Sequence, residues 1–128
     1  MNIKYVVETS AWLEYYFGAN AQLKELIENN DVATTVITIG EIVDVFSREK
    51  ADPKEFLRFI KSIAYPLPLT IQSATAGAEI KTQRRPKHHK FSLADGFHLA
   101  IARERKAVLV TCDTDFVGID DVMLFTKN

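Results

Sequence analysis

Apolar and polar residues alternate along this chain in short β-branched runs separated by longer stretches at helical spacing. Ile3 to Val7 is a buried strand by composition, and Thr9 or Ser10 then caps a helix carrying Trp12, Leu13, Tyr16 and Phe17. Gly18 stops it, and Ala21 to Asn29 forms a second helix with Leu23, Leu26 and Ile27 inward. Val32 to Ile37 is a second strand. Thr38 opens a helix with Ile42, Val45 and Phe46, and Asp52-Pro53 opens another with Phe56, Leu57 and Ile60. Pro66 and Pro68 limit the piece around Leu67 and Leu69 to an edge strand at most.

Gln72 to Arg85 reads as a helix halted before Pro86. Ser92 caps a helix from Leu93 to about Arg105 that is apolar around most of its circumference and is therefore expected to be buried. Ala107 to Val110 and Val122 to Phe125 complete the strands. Strands that alternate with helices predict an α/β domain with a mainly parallel sheet. The 128 residues show no repeat or internal boundary, so one domain spanning 1–128 is expected.

Composition narrows the class. With 47% hydrophobic and 26% charged residues the chain is an ordinary globular sequence, and no apolar run approaches the ~20 residues that cross a bilayer. The N-terminus carries no signal-peptide pattern, and a single cysteine, Cys112, forbids an internal disulfide and fits a reducing, cytoplasmic setting. A net charge of −1 argues against wholesale coating of nucleic acid, yet the charge is segregated. Basic residues crowd between Lys81 and Lys90, and acids recur at strand ends.

Those acids are the candidate chemistry. Glu8 follows the first strand, Glu41 lies four residues after the second, Asp113 lies three after Val110, and Asp95 sits in the first turn of the buried helix. Ligands of open parallel sheets bind outside the carboxyl ends of the strands, where such acids would gather. Each also has a plainer reading alone. Thr38 to Glu41 and Ser92 to Asp95 match the spacing of a capping box, Asp113 fits a turn, and Glu8 fits a solvated strand end. Their joint placement favours a shared site. Clustered hard oxygen ligands select Mg²⁺ or Mn²⁺, and nothing has zinc spacing: His88 and His89 are adjacent, and Cys112 has no cysteine partner. Such a cation would assist hydrolysis of a phosphodiester.

Four segments, in this order, carry a resemblance: Val6-Val7-Glu8-Thr9-Ser10-Ala11, Thr38-Ile39-Gly40-Glu41, Leu93-Ala94-Asp95-Gly96-Phe97-His98-Leu99-Ala100-Ile101-Ala102, and Leu109-Val110-Thr111-Cys112-Asp113-Thr114-Asp115-Phe116. Together they resemble the PIN-domain ribonucleases, in particular the VapC-type toxins of toxin–antitoxin pairs, over nearly the whole chain. The resemblance implies a Rossmann-like three-layer fold and Mg²⁺- or Mn²⁺-dependent cleavage of single-stranded RNA. Glu8, Glu41, Asp95 and Asp113 then take the positions of the metal-site acids. Thr9 or Ser10 and Thr111 supply flanking hydroxyls, and Asp115 stands behind them. It also implies an antitoxin partner, with homodimerisation expected from the apolar helices.

Glu8 departs from the pattern, which has aspartate there, and the extra methylene moves the carboxylate by ~1.5 Å. An alternative therefore stands: a weak or inactive domain of this family that binds RNA or protein. Arg84, Arg85, Lys87 and Lys90 are expected to track RNA phosphates beside the acids, or else to form a solvated loop. His98 reads as a hydrogen-bonded core residue, and Cys112 as a small semi-buried one without the setting of a nucleophile.

Overall fold

The computed structural model describes residues 2–128. Five strands form one sheet: β1 (Tyr5–Val7), β2 (Val32–Thr35), β3 (Ala64–Leu67), β4 (Val108–Thr111) and β5 (Val122–Leu124). Six helices connect them: α1 (Thr9–Phe17), α2 (Ala21–Glu28), α3 (Val36–Arg48), α4 (Lys54–Ile63), α5 (Ile71–Arg84) and α6 (Leu93–Glu104), with a 3₁₀ turn at Thr114–Phe116. The sheet order is β3-β2-β1-β4-β5 and every pairing is parallel. β3, which contains Pro66, is an edge strand as its prolines predict.

Alternation along the strands feeds two cores. Val7, Val32 and Val110 face Trp12, Leu23, Ile42, Phe56 and Ile60, which places α1 to α4 on one side. Val6, Ala33 and Leu109 face Phe91, Leu99, Ile101 and Phe116 on the other side, beneath α6. The result is a three-layer α/β/α domain. Trp12 is fully buried because its indole N–H has somewhere to go: it donates to the Val7 carbonyl and the Thr34 hydroxyl, both at 3.0 Å. The buried hydroxyl of Thr34 also donates to the Val7 carbonyl at 2.7 Å.

Two helix starts differ from expectation. α1 is capped not by Thr9 or Ser10 but by Glu8, whose side chain reaches forward to the amides of Ser10 and Ala11. β2 ends at Thr35, and its hydroxyl accepts from the Thr38 amide, so α3 begins at Val36 and Thr38 lies inside it. The capping box that the spacing of Thr38 and Glu41 allows therefore does not form. The one at Ser92 and Asp95 does: the Asp95 amide donates to Ser92 Oγ at 3.0 Å, and the Ser92 amide to Asp95 Oδ2 at 2.9 Å.

After β3 the chain crosses to the other side of β1, so β1 and β4 flank the point where strand order reverses. Returning α6 to that point requires α5 and α6 to pass with their backbones almost touching. A Cβ on Gly96 would lie 2.2 Å from the Gly77 carbonyl oxygen, which no rotamer change can relieve. Gly96→Ala is expected to lower the melting temperature by on the order of 10 °C, through backbone displacement costing ~3 kcal/mol. Gly40→Ala, in a helical position where a Cβ meets nothing within 4 Å, should instead be neutral or stabilising by about 0.5–1 kcal/mol. Thermal denaturation of both variants checks the contrast.

Candidate metal centre

The carboxyl ends of β1, β2 and β4 carry the acids. Glu8, buried, follows β1. Its Oε1 accepts from the Ser10 amide at 2.9 Å, the Ala11 amide at 3.3 Å, the Thr111 hydroxyl at 2.7 Å and the Ser10 hydroxyl. Ser10 Oγ in turn accepts from the Cys112 amide at 2.9 Å, and Thr111 Oγ1 from the Asp113 amide at 3.0 Å. One oxygen of Glu8 thus ties the ends of β1 and β4 together. Its Oε2 takes no hydrogen bond from the described residues.

Asp95, Asp113 and Asp115 come together. One carboxylate oxygen from each lies within 4.8 Å of the others. α6 brings Asp95 in through the capping box, and Asp113 sits at the exit of β4, where its Oδ1 caps the 3₁₀ turn by accepting from the Asp115 amide at 2.9 Å. That turn carries Asp115 back over the site. Asp115, expected to stand behind the others, lies beside them.

Glu41 does not join that cluster. Its Oε1 accepts from the Thr9 hydroxyl at 2.6 Å and meets His98 Nε2 at 2.7 Å. His98 is fully buried, and its Nδ1 lies 3.0 Å from Thr35 Oγ1. The histidine is hydrogen-bonded and internal, as read from the sequence. Its pairing with Glu41 is not legible there, because the two residues stand 57 apart in the chain.

The electrostatics follow from this geometry. Burial pushes the Asp95 carboxyl up to about 6; the charges of Asp113 and Glu8 add to this, while the hydrogen bonds to Ser92 oppose it. Burial also raises Glu8, with a smaller push from Glu41, against the pull of His98, Ser10 and Thr111. Burial would raise Glu41 too, but the hydrogen bond and charge of His98 and the bond from Thr9 hold it below the ordinary carboxylate value. His98 is raised despite its burial, because it bonds to Glu41 and faces the charges of Glu8, Glu41 and Asp95. Burial, with the charges of Glu8 and Glu14, takes the Cys112 thiol up to about 11, so it stays protonated at neutral pH. None of the ion pairs among the described residues involves Asp95, Asp113 or Asp115. An all-oxygen, net-negative set of this kind fits a hard divalent cation.

The basic segment divides. Arg84 donates from Nε and Nη2 to the Asp115 carbonyl at 3.0 and 2.8 Å and from Nη2 to the Val117 carbonyl at 2.6 Å, and its guanidinium lies 5.3 Å from the centre of the Phe91 ring. Arg85 donates to the Phe91 carbonyl at 2.5 Å. Both arginines, expected to track phosphate, brace loops. Lys87 and Lys90 are exposed and take part in no ion pair among the described residues. Elsewhere, a cleft of about 520 Å³ between α1 and α3 is lined by Leu13, Phe17, Val45 and Phe46 and meets the acidic edge at Ser10. No helix among the described residues is long and apolar enough to cross a membrane.

Comparison with known proteins bears on this arrangement. The family model of the PIN domain matches residues 5–122. No curated protein matches the sequence. Among solved structures, a chain of a toxin–antitoxin complex from Klebsiella pneumoniae is 19% identical with a TM-score of 0.75, covering 96% of this chain and 99% of that one. A chain of the VapBC-5 toxin–antitoxin system from Mycobacterium tuberculosis is 24% identical with a TM-score of 0.64, covering 98% and 99%. VapC20 of the same organism, a sarcin–ricin loop cleaving toxin, is 17% identical with a TM-score of 0.70, covering 91% and 95%.

The raised Asp95 value has a direct thermodynamic consequence. A buried acid that holds its proton more tightly when folded favours the native state at low pH, and that contribution is lost as pH rises from ~4 to ~6. In chelator, Asp95→Asn should therefore be more stable than the parent at pH 7.5, by about 1–3 kcal/mol, with the gain gone near pH 4. Denaturation midpoints at the two pH values give the test, and an Asn variant less stable at pH 7.5 would contradict it.

Proposed function

The chain belongs to the PIN-domain family, and from that premise we propose that it is a Mg²⁺- or Mn²⁺-dependent endoribonuclease acting on single-stranded RNA, the toxin of a toxin–antitoxin pair. The observation that carries the reading is the meeting of Asp95, Asp113 and Asp115 within 4.8 Å, at the reversal of strand order and without a cationic partner among the described residues. These three carboxylates would hold the cation, with Glu8 at the border of the site through its open Oε2. When bound, the cation supplies Lewis-acid stabilisation of phosphate oxygens and lowers the pKa of water.

The chain's own residues do the rest. Ser10 and Thr111 fix one oxygen of Glu8, so its carboxylate is oriented before substrate arrives. Arg84 grips the Asp115 carbonyl and so fixes the turn that carries that acid. Lys87 and Lys90 provide charge that offsets the repulsion between RNA phosphates and the acids. The apolar cleft between α1 and α3, with Phe17 66% exposed, suits an antitoxin segment or a second copy of the chain. Toxin–antitoxin complexes among the structural neighbours support the antitoxin.

A second reading, a binding module with little or no catalysis, is favoured by one observation: neither Glu8 nor Glu41 stands with the three aspartates as a fully free carboxylate. Cleavage of defined single-stranded RNA separates the two. The nuclease reading expects Mn²⁺-dependent products, none in chelator, and a loss of at least ~100-fold in Asp95→Asn, about 2.7 kcal/mol of barrier. RNA binding without cleavage under those conditions selects the second reading.

The basic loop gives a further expectation. Lys87→Ala with Lys90→Ala should weaken RNA binding and flatten its dependence on salt, whereas Arg84→Ala should chiefly lower the melting temperature. Equal salt slopes for the parent and the double lysine variant would remove the loop from the RNA path.

A further inference from the structure

Glu41 and Asp115 occupy opposite situations at the same sheet edge. The Glu41 carboxylate is tied through Oε1 to Thr9 and His98, while an oxygen of Asp115 falls within 4.8 Å of Asp95 and Asp113. His98 is not free to release its hold by rotating. It is 1% exposed, lies three residues along α6 from Asp95, and its second ring nitrogen is 3.0 Å from the hydroxyl of Thr35, which caps α3. α3 is the helix that carries Glu41. The imidazole therefore spans two fixed points on α3, one at its cap and one in its second turn, and sets the distance between Glu41 and the Asp95 end of α6.

We propose that His98 is a positioning residue that holds Glu41 back from the cation site, leaving Asp95, Asp113 and Asp115 as the ligand set in the resting protein. The inference rests on the nuclease reading for the existence of that site, and adds which acid is kept out of it and by what. Asp115 has its own supports in the Asp113 cap and the grip of Arg84, so the three-aspartate set does not need Glu41 to assemble.

Two amides separate the contacts of the imidazole. Asn at position 98 places its amide near the Nδ1 position, keeping the Thr35 contact and losing Glu41. Gln reaches the Nε2 position and keeps Glu41. Mn²⁺ binding by the whole chain, followed by calorimetry, should tighten at least fivefold in His98→Asn, because Glu41 is released to the cation. It should stay within twofold of the parent in His98→Gln. Glu41→Gln alone should change the affinity by less than twofold, and adding it to His98→Asn should abolish the gain.

A tenfold loss of affinity in Glu41→Gln alone would overturn the proposal, since Glu41 would then be a ligand already. So would unchanged or weaker binding in His98→Asn with its melting temperature retained. If that variant does not fold, the Glu41→Gln and His98→Gln results still decide. Failure of the parent to bind Mn²⁺ at all would overturn the nuclease reading as well, whereas binding and cleavage by the parent with a flat response at position 98 would overturn the positioning role alone.

Discussion

Uncompensated negative charge at the carboxyl edge of the sheet is the constraint around which the surrounding structure is arranged. Asp95, Asp113 and Asp115 converge there with Glu8 beside them, and the one buried histidine among the described residues is committed to a fifth acid, Glu41. Carboxylates brought this close repel one another, and hydrogen-bond donors offset part of that cost. The donors come from several elements, some near in the chain and some far. Ser10 and Thr111 hold Glu8, the Ser92 amide holds Asp95, the Asp115 amide holds Asp113, and Thr9 with His98 holds Glu41. Hydroxyls do much of this work because they can donate without adding positive charge that would compete with a cation.

The sheet topology explains why the acids meet at all. With order β3-β2-β1-β4-β5 and every strand parallel, the reversal lies between β1 and β4, and a crevice opens at their carboxyl ends. Glu8 and Thr111 are the residues at that crevice. Asp95 arrives from the opposite layer, and its helix reaches the crevice because Gly77 and Gly96 let α5 and α6 cross at backbone contact. A side chain at either position would push α6, and Asp95 with it, out of register with β4. Packing between two helices thereby sets the geometry of a carboxylate cluster at the sheet edge.

Much of this was legible in the sequence where the signal is local. β-Branched runs located β1, β2 and β4, and the length and apolarity of the Leu93–Arg105 segment identified α6 as buried. The capping box at Ser92 and Asp95 was readable for the same reason. Where strand ends compete with helix starts, local signals mislead: Thr35 closes β2 and caps α3 at once, which sets the helix start two residues ahead of Thr38. Glu8 caps α1, a role that Thr9 or Ser10 fits equally well from sequence. Long-range partnerships were not legible. Nothing in the run Lys81 to Lys90 indicates that Arg84 turns to the carbonyls of Asp115 and Val117 while Lys87 and Lys90 stay outside, because those acceptors lie more than 30 residues away.

The length of Glu8 lets its two oxygens take different roles. Oε1 is saturated by the α1 amides and by the hydroxyls of Ser10 and Thr111, so it acts as a structural staple between β1 and β4. Oε2 receives no such bond, yet the Glu8 charge is near enough to raise Asp95. The added methylene therefore does not expel the carboxylate from the acidic edge. It lets one oxygen cap the helix while the other stays available. Because the staple and the open oxygen belong to one rigid group, any cation drawn to the three aspartates would meet Glu8 already oriented, with the entropic cost of fixing it met during folding.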